Sequence, residues 1–249
     1  MFTPDVVSLK QFYASPLGAR AAGAIGRMIR RLWPQARGEM VIGIGYALPF
    51  LEPYRSDENQ VFAAMPAFQG AIYWPVGQPN RVFLSEESQL PVPAGYFNRA
   101  LLIHAAEASE QLHAMLEEVW RLLTPGGRLL IVVPNRRSPW ARSPRTPFGY
   151  GRPFSLSQIK HLLAEVEFTV MRCETALHMP PLRSRWALKI MPCMEVLLRP
   201  LGALIGGVLV IEAEKQIYAA LREPVMVSAR RKTTVIAQPA MSLKRWGRR

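Results

Sequence analysis

The sequence predicts an α/β protein built on a mainly parallel sheet, with helices on both faces and an antiparallel hairpin at one edge. Three observations lead there. Short apolar runs suited to buried strands alternate with segments of helical period between residues 17 and 165. The most apolar run, RLLIVVPN at 128–135, follows a helical segment and a TPGG turn. Two late strands, FTVMRCETALHM at 168–179 and GGVLVIEAEKQIY at 206–218, are placed to pair antiparallel at the edge of the sheet.

The segment LGARAAGAIGRMIRRLW, 17–33, sets Leu17, Ala21, Ile25, Met28 and Leu32 on one stripe, with Arg20, Arg27 and Arg31 elsewhere. That is an amphipathic helix. Pro16 suits its first turn, and Pro34 and Gly38 end it before the first strand, GEMVIGIG. Further strands are predicted at QVFAAMPAF (60–68), RVFLS (81–85) and YFNRALLIHA (96–105). EASEQLHAMLEEVWRLL, 107–123, reads as a helix through Leu112, Met115, Leu116, Val119 and Leu123. Ser155 and Gln158 have the spacing of a capping box and start a helix through about Glu165. RSRWALKIMPCMEVLL, 183–198, is apolar and helical, interrupted by Pro192.

The chain has 249 residues, enough for one large α/β domain. Its net charge of +13 is uneven: from residue 222 onward eight Lys or Arg face the single acid Glu223. This organisation predicts one domain over 1–220, with N-terminal helices at 8–33, a core at 38–135 and helices and edge strands at 155–218. A basic tail, 221–249, lacks an apolar period and is expected to be disordered. A second basic stretch, the Arg/Pro-rich loop 134–155, holds Arg136, Arg137, Arg142, Arg145 and Arg152 among Trp140, Phe148, Tyr150 and Phe154. No nucleic-acid-binding motif accompanies the charge, so nucleic acid is not the expected partner. The longest apolar run, 200–211, is too short to cross a bilayer. No secretory signal opens the chain, and Cys173 and Cys193 lack metal or redox spacing, so a cytoplasmic location is expected. The scattered histidines form no metal site.

The stretch ESQLPVPAGYFNRALLIHAAEASEQLHAMLEEVWRLLTPGGRLLIVVPN, 87–135, resembles the second half of a class I S-adenosylmethionine-dependent methyltransferase domain. The residues that carry the resemblance are Leu90-Pro91, Phe97-Asn98 and the run Arg121-Leu122-Leu123-Thr124-Pro125-Gly126-Gly127. It extends back to the glycine turn at 43–45. The whole chain, with GRPFS and GGVLVIEAEKQ, is similar to bacterial methyltransferase-domain proteins. The resemblance implies a Rossmann-like, seven-stranded fold, S-adenosylmethionine as cofactor, and a glyoxalase II-type thiolester hydrolase as a partner.

The same resemblance defines what a cofactor site needs. After the first strand the family has an acid and then Gly-x-Gly-x-Gly; the acid holds the cofactor's ammonium and the glycines let the chain bend beneath it. Here Gly43 stands in the acid's place, Gly45 is the first glycine, Ala47 the second and Pro49 the third, with Tyr46 inside the turn. No carboxylate lies between Glu58 and Glu86 to bind the ribose. Glu86 fits the adenine position, and His104 ends the fourth strand, near where this family binds its substrates. Weak or absent cofactor binding is therefore expected. Each residue also fits a plainer role: the glycines a tight turn, Glu86 a solvated loop, His104 a packed side chain.

Two functions remain open on the sequence. One is methyl transfer to an unidentified acceptor, with no catalytic residue legible, since the sulfonium is already activated and alignment does much of the work. The other is a non-catalytic protein that keeps the scaffold as an interaction surface, with Arg136, Arg137, Trp140, Arg142, Arg145 and Arg152 as the contact loop. That loop fits a substrate lid as well.

Overall fold

The computed structural model describes residues 4–34, 38–182 and 184–216, and the basic tail expected over 221–249 lies outside them. Seven strands form one sheet: β1 (Met40–Gly45), β2 (Gln60–Pro66), β3 (Val82–Ser85), β4 (Phe97–Ile103), β5 (Leu123–Pro134), β6 (Phe168–Ala176) and β7 (Val208–Lys215). Their order is β3-β2-β1-β4-β5-β7-β6. The first five strands pair parallel, and β7 runs antiparallel to both β5 and β6. The helices are α1 (Val6–Ala14), α2 (Pro16–Leu32), α3 (Leu48–Leu51), α4 (Leu112–Leu122), α5 (Leu156–Glu165), α6 (Arg185–Leu197) and α7 (Gly202–Ile205).

Alternation along each strand sorts side chains to the two faces. Val41, Leu101, Ile103, Leu130 and Val132 join the core that includes α1, α2 and α3. Ile42, Ile44, Leu102, Leu129 and Ile131 join the core that includes α4 and α5. Both faces of the central strands are covered, which explains their unbroken apolar runs.

Local chemistry sets the element ends. Asp5 caps α1 by accepting the Ser8 N–H at 2.7 Å, and Ser15 caps α2 by accepting from Gly18 at 3.1 Å. Ser155 and Gln158 form the expected capping box on α5. Several expected elements are shorter than their patterns, and two have a clear local cause. The helix expected from 107 begins at Leu112, because Ala108 and Ser109 bond back to the Ala105 carbonyl and the Gln111 N–H is taken by Ser109 Oγ and Glu87. The strand expected to reach 179 stops at Ala176. There the N–H groups of Leu177 and His178 turn to the Glu195 carboxylate at 2.7 and 2.8 Å, and Leu177 has φ of 62°.

The residues that carried the family resemblance are structural ties. Arg121 Nη2 donates to the carbonyls of Leu90 (3.2 Å) and Val92 (2.8 Å), while Glu118 Oε1 accepts the Leu90 N–H at 2.6 Å. Asn98 Oδ1 accepts the Met40 N–H at 2.9 Å and locks β4 to the start of β1. Residues 124–127 loop out between the pairs Phe97–Leu123 and Arg99–Arg128, as a TPGG turn should.

Burial alone would raise the Glu118 carboxyl, but hydrogen bonds from Arg121 and the Leu90 N–H outweigh it and hold it below its ordinary 4.5. A depressed folded value means the stabilisation is present above the unfolded value and lost as pH falls through the folded one. Glu118→Gln should therefore cost about 1–3 kcal/mol near neutrality. The gap from wild type should narrow on acidification below about pH 4. Denaturant titrations at several pH values check both.

Candidate functional site

The carboxyl ends of β1 and β4 meet α1 in a buried polar and aromatic cluster. Gly45 turns the chain out of β1 with φ of 81°, and a side chain there would collide with the Ile103 carbonyl and lie 2.9 Å from Ala105 Cβ. Glycine is required because β1 and β4 approach so closely. Gly43 is constrained from the other side: a Cβ would lie 2.6 Å from both Ala47 Cβ and Leu51 Cδ1. Pro49 occupies the first turn of α3, where its missing N–H costs nothing.

His104 follows β4 with φ of 55°, an uncommon conformation for a non-glycine residue. Its Nε2 lies 2.7 Å from the Tyr13 hydroxyl and its Nδ1 lies 3.0 Å from Glu107 Oε1. Burial first, then the charges of Glu107 and Tyr46, push the Tyr13 phenol well above its ordinary value. Tyr13 thus keeps its proton and donates it to Nε2, leaving Nδ1–H to face Glu107. The Tyr13 ring stacks on Tyr46 at 5.7 Å and 9°, and Phe148 lies 4.9 Å from the His104 ring. Gln69 closes the floor: its Nε2 donates to the His104 carbonyl at 2.9 Å, and its backbone carbonyl accepts the Val6 N–H at 2.8 Å. Tyr13, Tyr46, Gln69, His104 and Glu107 are all buried. Two acceptors in the cluster, Gln69 Oε1 and Glu107 Oε2, have no hydrogen-bond partner.

Comparison with known proteins places this arrangement. A family model described as Methyltransferase domain matches residues 26–131. Over residues 26–131 the chain is thus similar to a methyltransferase domain. Solved structures match over more of the chain and show the same fold. A Thermotoga maritima S-adenosylmethionine-dependent methyltransferase aligns at TM-score 0.59 and 16% identity, over 85% of this chain and 96% of that one. An Archaeoglobus fulgidus S-adenosylmethionine-dependent methyltransferase aligns at 0.58 and 16%, over 83% and 99%. A Haloferax volcanii methyltransferase in complex with the Trm112 methyltransferase activator aligns at 0.53 and 14%, over 84% and 98%. No curated protein matches.

Several residues here differ from those that the family resemblance implies for a cofactor site. An acid at position 43 has no space, because Ala47 and Leu51 already cover the glycine. The chain after β2 reads Ala67-Phe68-Gln69-Gly70, without a carboxylate, and the Gln69 amide is turned inward to His104. The Tyr13–Tyr46 stack lies over the turn that should bend beneath the ligand. Glu86 is exposed in the turn after β3, away from the buried cluster, and bridges to Gln89.

The arginine loop is organised differently from a converging contact surface. Trp140, expected among its contact residues, is fully buried: its Nε1 donates to the Met179 carbonyl at 2.6 Å and its ring packs edge-on against Phe148 at 5.6 Å. The loop is closed at its base by Phe154 N–H to the Pro134 carbonyl and Arg136 N–H to the Phe154 carbonyl, both 2.9 Å. Trp140, Phe148 and Phe154 are buried, and the loop's arginines are exposed. Arg136 and Arg152, with His113, Glu117 and His161, line a cleft of about 730 Å³ between α4, α5 and the loop. Arg137 lines a separate cleft of about 420 Å³ with Cys173 and Arg199, and Arg142 and Arg145 point to solvent. Among the described residues no cluster of ligating side chains forms a metal site.

Sequence reasoning did not find Tyr13, Gln69 or Glu107. The apolar spacing Val6, Leu9, Tyr13 marks α1 as a helix, but a bond between residues 13 and 104 leaves no trace in either segment. Replacing Trp140 by alanine should destabilise the fold by about 3–5 kcal/mol, read as a drop in thermal or urea midpoint. Replacing Arg142 should change stability by less than about 0.5 kcal/mol.

Proposed function

We propose that this chain is a non-catalytic member of the methyltransferase family that serves as a binding protein. One observation supports the reading: Tyr13, Tyr46, Gln69 and His104 are buried together beside the β1 turn, the turn that the resemblance assigns to the cofactor. Energetics support it. The two acids that would grip the ammonium and ribose are missing, and each charge-assisted hydrogen bond lost typically costs about 1.5–3 kcal/mol. The binding role falls to the Arg136–Arg152 cleft, where exposed guanidinium groups flank a preformed concavity suited to carboxylates of a protein partner. A glyoxalase II-type thiolester hydrolase is the partner to try first, on the resemblance of the chain to bacterial methyltransferase-domain proteins.

Calorimetry with S-adenosylmethionine should give a dissociation constant on the order of 100 μM or weaker for the full chain. A low-micromolar constant rejects the reading. Tyr13→Ala is the informative variant. If it gains micromolar affinity, α1 is a removable lid and the chain is a methyltransferase; if affinity stays absent, the site is lost in the turn itself. Arg136→Ala with Arg152→Ala should weaken capture of the hydrolase at least about tenfold while leaving the thermal midpoint within a few degrees.

A further inference from the structure

Helix α6 carries an apolar stripe that the fold does not cover. Trp186 is 78% exposed, Ile190 50%, Val196 72% and Leu197 65%. These positions, with exposed Lys189 and Cys193, recur at helical spacing and define one outward face. The opposite face is used in packing: Met191 is buried, and Leu188, Met194 and Leu198 pack against the core that includes α2. A solvent-facing row of large apolar residues on a helix already anchored from behind is not needed for folding. Isolated exposed apolar side chains are ordinary, but a contiguous row marks a contact surface.

The charges around the row identify what it contacts. From Pro180 to Pro200 the chain has four basic residues, Arg183, Arg185, Lys189 and Arg199, and one acid, Glu195. Glu195 is withdrawn from the surface, accepting the N–H groups of Leu177 and His178 and lying 3.0 Å from the His178 ring. Lys189 sits over the Trp186 ring at 5.5 Å. Neighbouring α2 holds Arg20, Arg27, Arg30 and Arg31 and no acid. Arg20 and Arg27 line the crevice between α2 and α6, opposite Met191 and Pro192. Glu174, beside the end of α6, is taken up by Arg199 at 3.6 Å. The face is thus apolar at its centre and basic at its margin.

We propose that the exposed face of α6, with the arginines of α2 beside it, docks on the surface of an anionic phospholipid bilayer. The helix lies in the headgroup region and does not cross. Thirteen residues fall short of the roughly 20 a span needs, and no helix among those described is long and apolar enough to cross a membrane. Trp186 takes the interfacial position that indole rings favour, with Ile190, Val196 and Leu197 in the acyl boundary. Arg20, Arg27 and Lys189 meet the lipid phosphates, and each basic group near such a surface adds to the attraction. This inference is independent of whether the domain binds S-adenosylmethionine.

The test is cosedimentation of the full chain with vesicles of phosphatidylcholine containing about 30% phosphatidylglycerol, against pure phosphatidylcholine. Binding should appear on the anionic vesicles, and Trp186→Ala with Ile190→Ala should weaken it at least about tenfold. Trp186→Phe should keep the binding but lose the fluorescence quenching that brominated lipids cause in the wild type. Circular dichroism melts confirm that these exposed changes leave the fold intact. Absence of vesicle binding overturns the proposal, as does binding that the double variant leaves unchanged, because attraction through the basic tail alone would behave so. A wild-type dimer that the double variant dissociates overturns it too, assigning the face to a second copy of the chain.

Discussion

The hydrogen bond between the Tyr13 hydroxyl and His104 joins the N-terminal helix to the carboxyl end of the central strand, 91 residues later. Much of the region around it follows from that bond. It seats the Tyr13 ring on Tyr46 and brings Phe12 and His104 against Phe148 of the arginine loop. Glu107 holds the far side of the imidazole, and its carbonyl accepts the Arg152 N–H at 2.7 Å, so the loop is tied to the same point. This buried polar chain makes α1 part of the sheet edge rather than an appendage.

The same closeness explains the failed glycine motif. In a nucleotide-binding turn, glycines let a ligand approach the backbone. Here Gly43 and Gly45 let the chain's own Ala47, Leu51, Ile103 and Ala105 approach instead. Both glycines therefore serve close packing at the end of β1. Tyr46 and Ala47 add buried side chains to the same turn.

Charge and apolar surface are distributed to match. A few carboxylates are drawn inward to fixed partners, Glu118 to Arg121 and Leu90, Glu212 to Trp33 and Arg128, and Glu195 to Leu177 and His178. Arginines remain outside on α2 and on the loop after β5. The basic character of the chain is therefore expressed at its surface more strongly than its net charge implies. Two regions gain by it, the Arg136–Arg152 cleft and the margin of α6.

The sequence by itself determined the strand pattern, the parallel core, the antiparallel edge and the α5 capping box. These depend on period and on contacts a few residues apart. It also determined the missing acids at Gly43 and after β2, since an absent side chain needs no coordinates to be noticed. It misjudged Trp140, because an Arg- and Pro-rich loop reads as exposed until the Met179 carbonyl is seen waiting for the indole N–H. Helix α6 read as apolar, but not which of its sides α2 would leave bare. Only the tertiary structure decided that Tyr13 reaches His104. The pairing of Tyr13 with His104 and the covering of Gly43 by Leu51 are contacts between separate segments. No local propensity encodes them, because they arise only when the sheet brings those segments together.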